Sequence, residues 1–158
     1  MTPPAPQSLT ILTGASRGMG AAMARQLLAP GHTLLTLARH PDAALANQAR
    51  DAGATLTQWP VDLADARTVS QRLRQWLASL PGDRFEQATL INNAGAIPAI
   101  VPLRDAPDEG TLGALRVGLE APMLLTAAFL DATRAWRGKR RVLNISSGLG
   151  RRPMASQA

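Results

Sequence analysis

The sequence predicts one α/β domain built on a parallel sheet, and two patterns carry that prediction. Short apolar runs typical of buried strands alternate along the chain with segments whose apolar residues recur at helical spacing. Three of the runs are followed at once by a cluster of small and polar residues, at 13–20, 92–95 and 144–147. Strands that alternate with helices form βαβ crossovers, which place the strands parallel and the helices on the faces of the sheet.

The predicted elements follow one another in a regular order. The predicted strands are residues 8–13, 33–37, 55–61, 88–92 and 141–145, and the predicted helices are residues 18–28, 41–51, 63–80 and 108–136. Pro30-Gly31 ends the first helix, Gly53 lies near the C-cap of the second, and Pro81-Gly82 ends the third. A loop of small residues and prolines, 95–107, precedes the last helix.

Apolar stripes support three of the helices. The stripe of the first is Met19, Met23 and Leu27, that of the third is Val69, Leu73, Trp76, Leu77 and Leu80, and that of the last is Leu112, Leu115, Leu119 and Met123. The last helix has low intrinsic propensity because Gly110, Gly113, Gly118 and Pro122 interrupt it. Its stripe nevertheless predicts a helix.

Composition limits the class of protein. At 158 residues and 46% hydrophobic content, the chain is long enough for one domain with a substantial core. It has no cysteine and only two histidines, so we expect neither disulfides nor a metal site. The first six residues lack the pattern of a signal peptide, and no apolar run approaches the ~20 residues that span a bilayer. We therefore expect a cytoplasmic protein without a membrane partner.

The net charge of +6 raises the alternative of nucleic-acid binding. The basic residues are nearly all arginine, are mostly scattered singly, and have almost no aromatic neighbours on which bases could stack. The densest cluster, 137–141, is equally well explained as a solvated turn. We therefore expect no nucleic-acid partner.

The cluster at 13–20 is a glycine-rich turn between a predicted strand and a predicted helix. Such a turn exposes backbone N–H groups at a helix N-terminus, where they bind anions such as a pyrophosphate. Gly14 would make the sharp turn, Gly18 would let the backbone approach the phosphates, and Gly20 would allow close packing of helix on strand. Such a cluster also occurs in simple tight turns, but its position directly after the first strand favours a dinucleotide.

Charge at the end of the second strand indicates which dinucleotide binds. An acidic residue there would hydrogen-bond the ribose 2′-hydroxyl of NAD and repel a 2′-phosphate. The strand instead runs into Arg39, which is suited to pair with a phosphate, and Arg17 in the glycine-rich turn carries the same charge. The sequence therefore favours NADP over NAD, the alternative being that both arginines are ordinary surface residues.

Three motifs occur in a fixed order along the chain. They are Thr13-Gly14-Ala15-Ser16-Arg17-Gly18-Met19-Gly20, Asn92-Asn93-Ala94-Gly95 and Asn144-Ile145-Ser146-Ser147. Together they resemble the short-chain dehydrogenase/reductase family, and more weakly its sepiapterin and benzil reductase-like branch. The resemblance implies a Rossmann-type doubly wound sheet of order 3-2-1-4-5-6-7, with about five of those strands present here. It also implies an NADP-dependent homo-oligomer, a dimer or tetramer, that transfers a hydride between nicotinamide and a small-molecule ketone or alcohol.

The same resemblance assigns roles to residues of these motifs. The cofactor-binding residues would be Gly14, Ser16, Arg17, Gly18, Met19, Gly20, Arg39, Asp62, Leu63, Asn93, Ala94 and Gly95. In the family, the Asp after the third strand binds the adenine amino group and the next backbone N–H binds a ring nitrogen. Asp62 is also explained as a helix cap, and both roles are compatible.

Ser147 corresponds to the family's catalytic serine, which hydrogen-bonds the substrate carbonyl. The family's proton donor is the Tyr of a Tyr-x-x-x-Lys motif that follows this serine. This sequence contains no tyrosine, and Gly118 stands where many members carry an Asn that supports a proton-relay water. We therefore expect residues 1–158 to form one incomplete dinucleotide-binding domain that is inactive as a reductase by itself. A non-catalytic NADP-binding or interaction module is the alternative.

Overall fold

A computed structural model of the chain describes residues 7–152. The segment 1–6, over which the sequence predicts no secretion signal, lies outside the described residues. The strands are β1 Gln7–Thr13, β2 His32–Ala38, β3 Thr55–Pro60, β4 Phe85–Asn92 and β5 Lys139–Asn144. They form one sheet of order β3-β2-β1-β4-β5, in which every neighbouring pair is parallel. The predicted α/β class, the parallel sheet and its order are confirmed.

Helices cover both faces of this sheet. The α-helices are α1 Gly18–Gln26, α2 Ala43–Asp51, α3 Ala66–Ser79, α4 Asp108–Leu115 and α5 Ala121–Ala132. On one face, α1 and α2 pack over Leu12 and Leu34, and on the other α3 and α5 pack over Leu9 and Leu90. The central strands β1 and β2 are therefore buried on both sides, which explains their nearly continuous apolar and threonine sequences.

Most elements differ from their predicted bounds by a few residues at the ends. The stripe of α3 is confirmed, since Val69, Leu73 and Leu77 are buried. In α1 the stripe divides: Met23 and Leu27 pack partly against the core, whereas Met19 is exposed.

The prediction of one α-helix over 108–136 is wrong both in the type of helix and in where the helix ends. A π-helical segment, Arg116–Glu120, joins α4 to α5, and helical structure ends at Ala132. At this end the Thr133 hydroxyl donates to the Phe129 carbonyl oxygen at 2.7 Å. Beyond it Trp136 lies outside the helix, and its ring stacks on Phe85 with 5.5 Å between centroids.

We call the continuous helical run Asp108–Ala132 the long helix. The face that it buries is not the one that carries its predicted apolar stripe. Its buried residues are Ala121, Leu125, Ala128 and Phe129. The stripe residues lie at the surface, with exposed fractions from 48% at Leu112 to 64% at Met123. The apolar stripe therefore identifies the helix correctly but lies on a face that nothing in residues 7–152 covers.

The same helix corrects the expectation about membrane spans. Asp108–Ala132, 25 residues, is long and apolar enough to cross a bilayer by length and composition. Only Arg116 and Glu120 interrupt its central apolar stretch. A core helix of a soluble protein meets the same criterion, so this is weak evidence for a membrane.

The fifth strand lies at an open edge of the sheet, as predicted. It spans Lys139–Asn144 rather than 141–145, because Lys139 already pairs with Gln87 of β4. Of its six residues only Val142 is partly buried. Lys139, Arg140 and Arg141 are exposed, whereas Val142 packs against the core on one face of the strand and Leu143, on the other face, is 47% exposed.

Candidate functional site

A cavity of about 750 Å³ lies at the carboxyl ends of the central strands. This is the edge at which open parallel sheets bind ligands. Every residue that the sequence assigns to the cofactor lines it: Gly14, Ser16, Arg17, Gly18, Met19, Gly20, Arg39, Asp62, Leu63, Asn93, Ala94 and Gly95. Segments that are far apart in the sequence thus meet around one space.

The glycine-rich turn between β1 and α1 needs its glycines for different reasons. Gly14 has a φ of +72°, and a Cβ there would lie 2.8 Å from the Ala94 Cα. At Gly20 a Cβ would overlap the Gly14 carbonyl oxygen and lie 2.6 Å from Asn93 Nδ2. Gly18 has a φ of +56°, but a Cβ there would meet no atom within 4 Å. Close packing requires glycine at positions 14 and 20. At position 18 only the positive φ favours glycine, and the space beside it stays open to a ligand.

The turn leaves the N-terminus of α1 available to an anion. Arg17 occupies the N-cap position, and its side chain makes no capping hydrogen bond. The first turn of α1 contains no acidic residue. Since the first N–H groups of a helix have no intrahelical acceptor, they favour a negatively charged group such as a diphosphate.

Thr13 and Asn93 lock the ends of β1 and β4 together. Thr13 Oγ1 accepts hydrogen bonds from the backbone N–H groups of Asn93 and Ala94, each at 2.9 Å. Asn93 Nδ2 donates in return to the carbonyl oxygens of Thr13, at 3.0 Å, and Gly14, at 3.2 Å. This reciprocal clamp holds the glycine-rich turn against the Asn-Asn-Ala-Gly motif and shapes the cavity between them.

The end of β2 presents positive charge to the cavity. Arg17 and Arg39 are both exposed, and neither joins any of the ion pairs within residues 7–152. The first acid after β2, Asp42, is already engaged: its Oδ1 caps α2 by accepting from the N–H groups of Ala44 and Leu45. Arg17 and Arg39 therefore line the cavity without an ion-pair partner among the described residues.

Asp62 performs the capping role that the sequence predicts. Its Oδ1 accepts from the Ala64 N–H at 2.9 Å and begins the 3-10 turn Leu63–Asp65. Its other oxygen makes no hydrogen bond among the described residues, and both Asp62 and Leu63 line the cavity. The cap therefore leaves one carboxylate oxygen of Asp62 without a hydrogen bond among the described residues.

Ser147 does not line the cavity. It is exposed beyond the end of β5, and its Oγ accepts from the Leu149 N–H at 3.2 Å. The end of β5 is tied to β4, since Ile145 N–H donates to the Asn92 carbonyl oxygen and Asn92 Nδ2 donates to Asn144 Oδ1, at 2.9 and 2.8 Å. Ser147 Oγ donates to no acceptor among the described residues, so its hydroxyl hydrogen remains available to donate.

Sequence reasoning missed some residues of the cavity wall: Leu37, Ala38, Val61, Ala96, Ile97 and Val117. All but Val117 are near neighbours of predicted site residues, so extending each motif would have found them. Val117 comes from the π-helical segment and reaches the cavity only through tertiary packing. Thr13 is part of the glycine-rich motif, but its clamping contact with Asn93 spans 80 positions of the sequence.

Fold and cavity together define an α/β protein of the dinucleotide-binding type. The sequence profile described as short chain dehydrogenase matches residues 8–158. The chain therefore belongs to the short-chain dehydrogenase/reductase family of oxidoreductases, and the predicted resemblance is confirmed.

Several curated relatives are benzil or sepiapterin reductases. A benzil reductase ((S)-benzoin forming) of Bacillus cereus is 33% identical over 143 residues, which cover 90% of this chain and 57% of the relative. A sepiapterin reductase of Xenopus laevis is 32% identical over 160 residues, covering 94% of this chain and 60% of the relative. The chain thus spans less than two thirds of the length of these relatives.

Solved structures show the same fold. A short-chain dehydrogenase/reductase from Burkholderia vietnamiensis is 34% identical, with a TM-score of 0.84 over 97% of this chain and 69% of the other. A metagenomic short-chain oxidoreductase in complex with NADP is 30% identical, with a TM-score of 0.81 over 96% of this chain and 67% of the other. The bound NADP in that neighbour supports the binding of a nicotinamide cofactor.

Proposed function

We propose that this chain binds NADP(H) in preference to NAD(H), as the cofactor-binding part of a carbonyl reductase. One observation carries the preference: Arg17 and Arg39 line the cavity free of ion pairs among the described residues, and the first acid after β2 is engaged in capping α2. A 2′-phosphate near the end of β2 would meet two guanidinium groups and no free carboxylate from that strand end.

The cavity suits a dinucleotide along its whole length. The uncapped N-terminus of α1 and the open space beside Gly18 would hold the diphosphate. Asp62 and the Leu63 N–H would contact the adenine, and Asn93, Ala94 and Gly95 would lie against a ribose. Its volume of about 750 Å³ falls within the range typical of ligand pockets.

In the complete enzyme, the bound cofactor would supply or accept a hydride at nicotinamide C4. The substrate would be a small ketone, or the corresponding alcohol in the reverse direction. Ser147 would donate its free hydroxyl hydrogen to the substrate carbonyl oxygen and orient that carbonyl. An aliphatic hydroxyl is too weak an acid to deliver the proton itself, so this role is one of orientation and charge stabilisation.

Residues 1–158 contain no residue suited to deliver that proton. The sequence has no tyrosine, and its one lysine, Lys139, begins β5. Since the strands are parallel and the cavity lies at their carboxyl ends, Lys139 lies at the opposite end of the sheet. We therefore propose that these 158 residues bind NADP(H) without turnover. This observation also favours the second candidate, a non-catalytic NADP-binding module.

A second copy of the chain is the partner that we propose, through the exposed stripe of the long helix. Leu112, Leu115, Leu119 and Met123 line a shallow groove there, beside Arg116 and Glu120. Arg116 and Glu120 lie symmetrically about Gly118, so an antiparallel copy of the helix would place each arginine opposite a glutamate. Such a self-complementary arrangement suits a two-fold dimer in a cytoplasmic protein.

Binding and turnover, measured separately on material of verified mass, test this function. We expect NADPH to bind more tightly than NADH by calorimetry, with no steady oxidation of NADPH in the presence of a panel of diketones. Binding with steady turnover would refute the inactivity and leave the reductase function standing. If neither cofactor binds, the proposal is refuted altogether.

A further inference from the structure

Met19 places a thioether at the surface of the cofactor cavity. It is the second residue of α1, lies between Gly18 and Gly20, and is 55% exposed. Its glycine neighbours carry no side chains to shield it, and the space beside Gly18 is open. Met19 is therefore accessible at the predicted diphosphate site. It is also chemically reactive, because its sulfur is a soft nucleophile.

The other sulfur atoms of the chain provide comparisons. The sequence has five methionines and no cysteine, so methionine is the only sulfur-containing residue that a peroxide meets. Met23 is partly buried against the core, and Met123 is 64% exposed on the stripe of the long helix. Met1 and Met154 lie outside the described residues. Met19 is therefore the described methionine that is both exposed and in the cavity wall.

We propose that Met19 is a reversible oxidation site that controls cofactor affinity, and that bound NADP shields it. The inference rests on the proposed function, because it takes NADP as the occupant of the cavity. The oxidant is a hydroperoxide. The Met19 sulfur attacks the outer peroxide oxygen, a sulfur–oxygen bond forms as the oxygen–oxygen bond breaks, and sulfur loses two electrons. The departing oxygen takes up the proton released from the transferred oxygen, so the hydroperoxide is reduced to the alcohol, or hydrogen peroxide to water.

Oxidation would weaken binding in two ways. Met19 shares the cavity wall with the apolar residues Leu37, Ile97 and Val117, and a sulfoxide is polar and bulkier than a thioether. The sulfoxide oxygen is also a hydrogen-bond acceptor, and it would lie beside the uncapped N–H groups of α1 that the diphosphate requires. We expect NADPH affinity to fall roughly tenfold.

The test exposes the purified chain to hydrogen peroxide with and without saturating NADP⁺ and follows each methionine by peptide mass spectrometry. NADP⁺, which peroxide does not consume, is expected to slow sulfoxide formation at Met19 and leave the rate at Met123 unchanged. After peroxide is removed, the Kd for NADPH is measured by calorimetry. It should rise roughly tenfold and recover after treatment with methionine sulfoxide reductases.

Two variants assign the effect to one residue. In Met19→Leu, the NADPH affinity, whatever its starting value, should not change on peroxide treatment. Met123→Leu should lose affinity as the unmodified chain does. Met23 is present in both variants, so any effect of its oxidation on affinity is the same in both.

Three outcomes would overturn the inference while NADPH still binds untreated protein: no protection of Met19 by NADP⁺, full affinity after Met19 is oxidised, or loss of affinity in peroxide-treated Met19→Leu. In each of them the proposed cofactor binding stands. Failure of NADPH to bind the untreated chain would overturn both proposals, and that measurement is made first.

Discussion

Single residues of the cavity wall determine both the shape and the charge of the cavity. Gly14 and Gly20 allow backbone segments to touch, and no side chain fits in their place. Arg17 and Arg39 contribute charge alone, since both are exposed and unpaired within residues 7–152. An exposed, unpaired arginine can be substituted with little effect on the stability of the fold. The proposed cofactor preference is therefore the residue-scale property that is easiest to test.

Reversing the charge at Arg39 should shift the cofactor preference toward NADH. In Arg39→Asp, a carboxylate would repel the 2′-phosphate and could accept from the ribose 2′-hydroxyl, so the Kd for NADPH should rise roughly tenfold or more relative to that for NADH. Competitive titrations of the two cofactors measure the ratio. Arg134→Asp, at an exposed position after α5, is the matched control and should leave the ratio unchanged. Equal affinities of the unmodified chain for both cofactors would contradict the premise.

The two adjacent serines after β5 should differ in their effect on turnover. In a chain extended to the length of its relatives, Ser147→Ala should lower kcat by roughly 10² or more, as expected for the loss of a positioned hydrogen-bond donor. NADPH affinity should barely change, because Ser147 lies outside the cofactor cavity. Ser146→Ala is the control and should have the milder effect. The reverse ranking in steady-state kinetics would assign the role to Ser146.

At the scale of elements, the pairing of β1 with β2 includes a partly buried histidine. His32 Nδ1 lies 2.7 Å from Ser8 Oγ, and Nε2 lies 3.1 Å from Thr10 Oγ1. Burial lowers the pKa of His32 below its usual value of 6.5. The folded state therefore binds this proton less readily than the unfolded state does.

This depressed pKa predicts a loss of stability in mild acid. The contribution of neutral His32 is fully present above pH 6.5, the unfolded pKa, and is lost as the pH falls below that value. The free energy of unfolding, measured in urea between about pH 7 and pH 5, should fall less steeply with acid in His32→Gln than in the unmodified chain. His40→Gln, which removes an exposed histidine, serves as the control. Identical slopes for His32→Gln and the unmodified chain would rule out this linkage.

The long helix is the element on which sequence and structure disagree most. Its predicted apolar stripe lies on one exposed face of the helix. The face that packs against α3 and the sheet carries Leu125, Ala128 and Phe129 instead. A helix with apolar residues on more than one face can bury only one of them in the described fold. The period of a stripe therefore identifies a helix, but it does not say which neighbour the helix has.

For the whole molecule, the open edge and the exposed stripe predict association. Within residues 7–152, strand β5 has one unpaired side, and the stripe exposes four large apolar side chains, Leu112, Leu115, Leu119 and Met123. Material of confirmed 158-residue mass should therefore self-associate in light scattering coupled to size exclusion. Leu119→Glu should shift it toward monomer, because the charge would enter the proposed contact. Ile100→Glu, at an exposed apolar loop position, is the control.

A cooperatively unfolding monomer, monodisperse across a wide concentration range, would contradict that prediction. It would show that the exposed surface needs no cover. Retention of the oligomer in Leu119→Glu would instead assign the contact to another surface, with the edge of β5 the next to test.

Local patterns by themselves determined the strands, most helices and the cofactor motifs of this protein. Periodicity depends on residues a few positions apart, and the glycine-rich turn is predicted from glycines within one short segment, so both can be read from the sequence. The charge of Arg39 at the end of β2 is equally local, and it predicts the cofactor before any coordinates are known.

Tertiary structure alone decided which of these features meet. It clamped Thr13 to Asn93, brought Val117 of a π-helical segment into the cavity, and left Ser147 outside it. It also buried Phe129 and left Leu119 exposed on the same helix. The physical reason is common to all of these: each depends on contacts between segments far apart in the chain, and the packing of those segments is a collective property that no local pattern encodes.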